Sequence, residues 1–125
     1  MSLTLFPAAT YAVGTYTKEF IPAYASPGYF PIKGIVCSIN YTAEGSGSAT
    51  LDFKLQYRDG DAWKDIVGAS IVQKTDPGDI DLMIYPGRTA VANRVVDLPV
   101  FEALRAVAVV GTNTETFSVA MDTLP

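Results

Sequence analysis

Histidine is absent from this chain, and cysteine occurs once, at Cys37. The Ser-His-Asp and Cys-His arrangements that activate a nucleophile therefore cannot be assembled from its residues. One thiol without an imidazole is too little for a zinc site. A lone cysteine also cannot close an internal disulfide, so the core alone must hold the fold. Charge is scarce as well: charged residues make up 18% of 125, below the usual quarter. The nine Lys and Arg are scattered singly against thirteen Asp and Glu, for a net charge of −4. The clusters that neutralise phosphates or grip an anionic bilayer are missing, so neither nucleic acid nor membrane is an expected partner. No Gly-rich phosphate loop or dinucleotide fingerprint occurs, and no cofactor is expected.

Long hydrophobic runs are missing too. The uncharged stretch 20–32 carries three prolines and cannot form a membrane-spanning helix. Residues 2–13 have no basic n-region, and Pro7 interrupts their apolar run. The expectation is a chain without a secretory leader, made in the cytoplasm.

What the chain has in plenty is apolar residues, 49% of the total, set at period two. Residues 50–57 place Leu51, Phe53, Leu55 and Tyr57 on one side and Asp52, Lys54 and Gln56 on the other. That is the pattern of a half-buried strand. Arg58-Asp59-Gly60-Asp61 is turn chemistry, and 62–67 continues as a second strand, so 51–67 reads as a hairpin. Upstream, Ile35, Cys37, Ile39 and Tyr41 alternate along 34–42, and Glu44-Gly45-Ser46-Gly47-Ser48 links this strand to the next. Downstream, Asp76-Pro77-Gly78-Asp79 is a turn, and Ile80, Leu82 and Ile84 face inward. Residues 104–110 are nearly all apolar, as in a central strand, and Phe117, Val119 and Met121 alternate towards the end. Only one helical turn, within 100–105, is conceivable. The predicted fold is all-β: an antiparallel, jelly-roll-like β-sandwich of about eight strands in one domain. Residues 34–125 form its core, and 1–33 form N-terminal strands and an arm rich in Pro and aromatics.

Candidate chemistry is thin. Asp59 and Asp61, and Asp76, Asp79 and Asp81, could offer oxygens to calcium. Neither run has the required loop pattern, and turns explain both. The acids lie in turns and on outer strand faces, where no glycosidase pair can face one cleft. Cys37 alternates with core residues and reads as a buried structural thiol. Trp63, with Tyr57, could stack on a sugar ring, or Trp63 could pack within its hairpin. Phe6, Tyr11, Tyr16, Phe20, Tyr24, Tyr29 and Phe30 are the candidate interface residues. They could lie on a neighbouring subunit or fill this domain's own core.

The run SATLDFKLQYRDGDAWKDI at 48–66 resembles a pattern of small tailed-phage virion proteins. In that pattern a strand ending in Leu-Gln enters an Asp-Gly turn and then an aromatic-x-Asp-hydrophobic strand. LRAVAVVGT at 104–112, followed by Phe117-Ser118-Val119, looks like the closing strand pair of the same family. The resemblance, which covers 34 onward, is to jelly-roll capsid cement or decoration proteins of tailed bacteriophages. It implies a non-enzymatic protein that binds the major capsid protein on the outer surface of the virion, as a trimer or dimer, and stabilises the shell. The alternative is a carbohydrate-binding module of a phage fibre or tail appendage. A tail-tube component would demand a long β-hairpin that the short turns do not supply.

Overall fold

The computed structural model describes residues 2–22, 32–44, 50–74 and 78–125. Tyr24, Tyr29 and Phe30 of the N-terminal arm, most of the 44–48 link, and Asp76-Pro77 lie outside them. Nine strands are described: β1 (Ser2–Tyr11), β2 (Gly14–Phe20), β3 (Gly34–Glu44), β4 (Thr50–Asp59), β5 (Ala62–Lys74), β6 (Gly78–Ile84), β7 (Val95–Val96), β8 (Leu104–Gly111) and β9 (Glu115–Leu124). They form a five-stranded sheet, β1-β9-β3-β6-β7, and a four-stranded sheet, β2-β8-β4-β5. All neighbours are antiparallel except β6 and β7.

The pairing is nested. β4 pairs with β5, β3 with β6, β2 with β8 and β1 with β9. The chain thus runs as one long hairpin whose apex is the β4–β5 turn. Rolling that ribbon lets β3 also meet β9 and β4 also meet β8, which closes two sheets. This is the double-sheet jelly roll that the alternation implied. At the apex Asp59 pairs with Ala62, leaving Gly60 and Asp61 as a two-residue loop. Gly60 takes φ 63° there, as a tight hairpin connection requires.

The core lies between the sheets. Ile35, Cys37, Ile39 and Tyr41 of β3 are buried, and so are Leu51, Phe53 and Leu55 of β4 and Phe117, Val119 and Met121 of β9. Each large side chain buried this way contributes roughly 1.5–3 kcal/mol. β8 sits inside its sheet, between β2 and β4, so its run of apolar residues reflects a position with a neighbour on both sides. The helical turn conceived within 100–105 does not form: Leu104 and Arg105 belong to β8, and Phe101 stacks on Tyr57 at 4.4 Å.

β1 and β2 take one edge of each sheet. β1 carries Leu5 and Phe6 into the core side by side, because its register with β9 shifts on both sides of Phe6. Pro7 follows at that irregularity. An edge strand tolerates it, since no ladder partner needs its missing N–H.

Candidate functional site

The candidate interface residues of the N-terminal stretch divide into two groups. Phe6 and Phe20 lie in this chain's own core, with about 5% and 6% of their surface exposed. Phe6 meets Phe117 edge to face, and Tyr11 stacks on the same ring at 4.4 Å. Tyr11 and Tyr16 are half-buried, in T-shaped contact at 5.1 Å. Their hydroxyls donate to the Pro7 and Ala12 carbonyls. Phe6 and Phe20 thus fill this chain's own sandwich, while Tyr11 and Tyr16 pack on it in part.

Trp63 and Tyr57 are both half-buried, and the register separates them. Trp63 stands opposite Arg58, whereas Tyr57 stands opposite Lys64 and Leu104. Directly opposed residues share a face and adjacent ones do not. Tyr57 therefore points to the core side and Trp63 to the outer side. The pair cannot form one stacking platform.

Two surfaces emerge that single-sequence patterning did not single out. One is an apolar edge. Between Lys54↔Ser70 and Gln56↔Asp65, β5 advances five residues while β4 advances two. The extra residues form a wide bulge that turns Ile66 and Ala69 inward and leaves Val67 89% exposed. Gly68 makes the turn-out with φ 84°. Beside it lies the 85–98 segment, whose Val91 and Leu98 are also exposed. With Ala90, Ala92 and Val95 they line a shallow hollow of about 330 Å³. That segment is firmly tied. Met83 N–H donates to the Arg94 carbonyl, Tyr85 N–H to that of Val96, and Val91 and Val95 form a bridge. Gly87 N–H donates to Asp97 Oδ1 at 2.6 Å. Arg88 and Arg94, both exposed, lie in the same segment.

The other surface is a polar row across the outer face of the four-stranded sheet. Glu19, Arg105, Gln56 and Asp65 stand side by side on β2, β8, β4 and β5. Arg105 Nε and Nη2 donate to Gln56 Oε1 at 2.9 and 2.6 Å. Gln56 Nε2 in turn donates to Asp65 Oδ1 at 2.8 Å, and Lys54 pairs with the same carboxylate at 3.0 Å. The hydrogen bond from Gln56, and then Lys54, hold the Asp65 carboxyl below its ordinary value. Alternation places Gln56 on the wet face, yet it is only 8% exposed, because Arg105 and Asp65 close over it. The Arg105 guanidinium also lies 4.9 Å from the centre of the Trp63 ring.

Cys37 is fully buried, and desolvation pushes its thiol up to about 12, which leaves it inert as a nucleophile. Among the described residues no cluster of His, Cys, Asp or Glu could hold a metal, and no helix is long and apolar enough to cross a membrane.

No protein-family model matches the chain, and no curated protein matches it either. Among solved structures it is similar to a chain from work on "CBM4 structure and function" and to one from the Cowpea mosaic virus top component, a naturally occurring empty particle. The first match has 12% identity and a TM-score of 0.42, and covers 88% of this chain and 58% of that one. The second has 15% identity and a TM-score of 0.43, and covers 99% of this chain and 81% of its counterpart. The chain thus spans little more than half the length of the first. At such identities and scores neither similarity bears on function.

Proposed function

We propose that this chain is a non-enzymatic virion structural protein that decorates the outside of a tailed-phage capsid and cements the shell. In this reading the β5–β7 edge seats on the major capsid protein. The observation that carries it is the apolar hollow of Val67, Val91 and Leu98, built on backbone already fixed by hydrogen bonds. A bulge at a sheet edge ordinarily blunts that edge, and a charged or polar side chain serves the purpose best. Here the bulge presents a valine instead, next to two more exposed apolar residues. Single exposed apolar side chains need no explanation, but a group around a concavity marks an interaction site.

The rigidity of the platform favours binding, because little further ordering is required on docking. Neither Arg88 nor Arg94 lines the hollow, and Asp97, which does, is engaged by Gly87 N–H, so the contact rests on apolar area rather than on charge. Many weak sites of this kind, each within a standard interface of ~1,600 Å² or less, sum strongly when copies are linked on a lattice. A trimer or dimer would link them in that way.

The test uses particles stripped of this protein and then re-supplied with it. A Val67→Asp, Leu98→Asp double variant is expected to keep its melting temperature within a few degrees and to lose at least ~30-fold in particle affinity. Several hundred copies of the unaltered chain per purified particle are expected by quantitative mass spectrometry. Unchanged binding of the double variant, or only a few dozen copies per particle, would overturn the proposal.

A further inference from the structure

We infer a second binding site, for a neutral glycan, in the groove at the Trp63 end of the outer face of the four-stranded sheet. It stands independently of the capsid reading and shares no residue with the apolar hollow. The groove measures about 320 Å³, and its lining includes Trp63, Arg58, Glu19, Ile21, Ala103 and Leu104. A second hollow of about 390 Å³ continues from it, sharing Ile21, Arg58 and Ala103 and reaching Phe101 and Glu102. Each lies near the lower end of the range of ligand sites, about 300–1,000 Å³. Together they offer room for more than one ring.

The walls are prepared in advance. Trp63 is held by Arg105, which is held by Gln56, which is anchored on Asp65. Because Gln56 is buried and both ends of its amide are engaged, neither the amide nor the guanidinium it fixes can swing away. An indole held in this way is a rigid apolar surface for the C–H face of a sugar ring. Arg105 has two direct cross-strand neighbours, Glu19 and Gln56, and its guanidinium bonds to the neutral Gln56. That choice leaves the exposed Glu19 carboxylate at the rim of the groove. Arg58 spends Nε on the Gly60 carbonyl at 2.9 Å. Among the described residues its two terminal nitrogens have no partner.

These polar groups set the chemical class. A carboxylate accepts from hydroxyls and a guanidinium donates to them, and such charge-assisted bonds are the stronger kind. Glu19 at one end and Glu102 at the other repel a phosphate or other anion. Arg58, shared by the two hollows, sets a positive charge between them, so the groove carries no block of one sign. A neutral ligand rich in hydroxyls, with one apolar face, satisfies all of them.

Trp63 is the only tryptophan in the chain, so its fluorescence, excited selectively, reports on this groove alone. The intact protein would be titrated with neutral malto-, cello-, xylo-, laminari- and chito-oligosaccharides, and separately with sodium phosphate and adenosine monophosphate. A saturable emission change with at least one neutral series is expected, weakened roughly tenfold or more in Glu19→Gln and in Arg58→Gln. Both variants alter exposed side chains, and a melting curve checks their folding. No saturable change with any sugar, a response to phosphate or nucleotide alone, or affinity unchanged in both variants would overturn the inference. The Val67→Asp, Leu98→Asp variant should titrate like the parent chain, which separates failure at this site from failure at the apolar edge.

Discussion

Strands β8 and β5 belong to the same sheet, with only β4 between them, and use their residues in opposite ways. β8 pairs with β2 and with β4 without a single register break. Leu104, Ala106, Ala108 and Val110 all reach the core. β5 pairs with β4 alone and breaks register twice, and it carries both the half-exposed tryptophan and, among the described residues, the most exposed valine. The difference follows from neighbours. A strand held on both sides cannot slip by one residue without turning its whole apolar set outward and disrupting two ladders. An edge strand bulges at the expense of one ladder only. In this protein the interior strand holds the structure together, and the edge strand is where surface chemistry accumulates.

The contrast can be broken most directly by truncating one side chain from each strand. Leu104→Ala should cost about 2–5 kcal/mol in urea denaturation, whereas Val67→Ala should stay within ~0.5 kcal/mol. Equal costs would show that the bulge is part of the core after all. A smaller effect is expected from crowding β8. Ala108 stands between Phe53 and Tyr16 on its two neighbours, so its small size makes room for two rings. Ala108→Leu should cost roughly 1–3 kcal/mol by the same measurement.

Next comes the bulge itself. A Cβ on Gly68 would meet nothing closer than a Val96 methyl at 3.8 Å, so Gly68→Ala tests the backbone at φ 84° rather than a clash. The expected cost is about 1–2 kcal/mol. A neutral result would mean that the turn-out relaxes easily and does not fix Val67.

The smallest effect concerns the polar row. Because the folded Asp65 carboxyl titrates below its ordinary 3.8, its contribution is fully present above that value. It is lost as pH falls through the lower, folded value. The side chain is largely exposed, so solvent screens most of the effect. The melting-temperature gap between the parent and Asp65→Asn should therefore be small at neutral pH and should close below about pH 4. A gap that widens in acid would reverse the assignment.

Much of the fold is legible along the chain. The alternation of Ile35, Cys37, Ile39 and Tyr41, and of Leu51, Phe53 and Leu55, names the buried faces, since period two is a local property. The Asp59-Gly60-Asp61 turn names the hairpin apex. The surfaces are less legible. Gln56 sits at an outward position and becomes buried only because β8 brings Arg105 alongside it. Glu19 and Trp63 come together through three ladders, and nothing within either segment signals the other. Val67 continues an apparent strand, and its exposure follows from a bulge whose extra residues are visible only in the register against β4. The pairing of Tyr57 with Trp63 fails for the same reason, because face depends on register.

The sequence by itself determined that this protein is an all-β sandwich with its core in alternating strands, and that histidine-based catalysis is closed to it. Local periodicity, turn chemistry and composition are enough for that. The tertiary structure alone decided that β1 and β2 close the edges of the two sheets with Phe6 and Phe20 inside, that Trp63 stands over Arg105, and that Val67, Val91 and Leu98 share one hollow. Those outcomes depend on which distant strands lie side by side and in what register. That is settled by the packing of the whole chain, not by any segment of it.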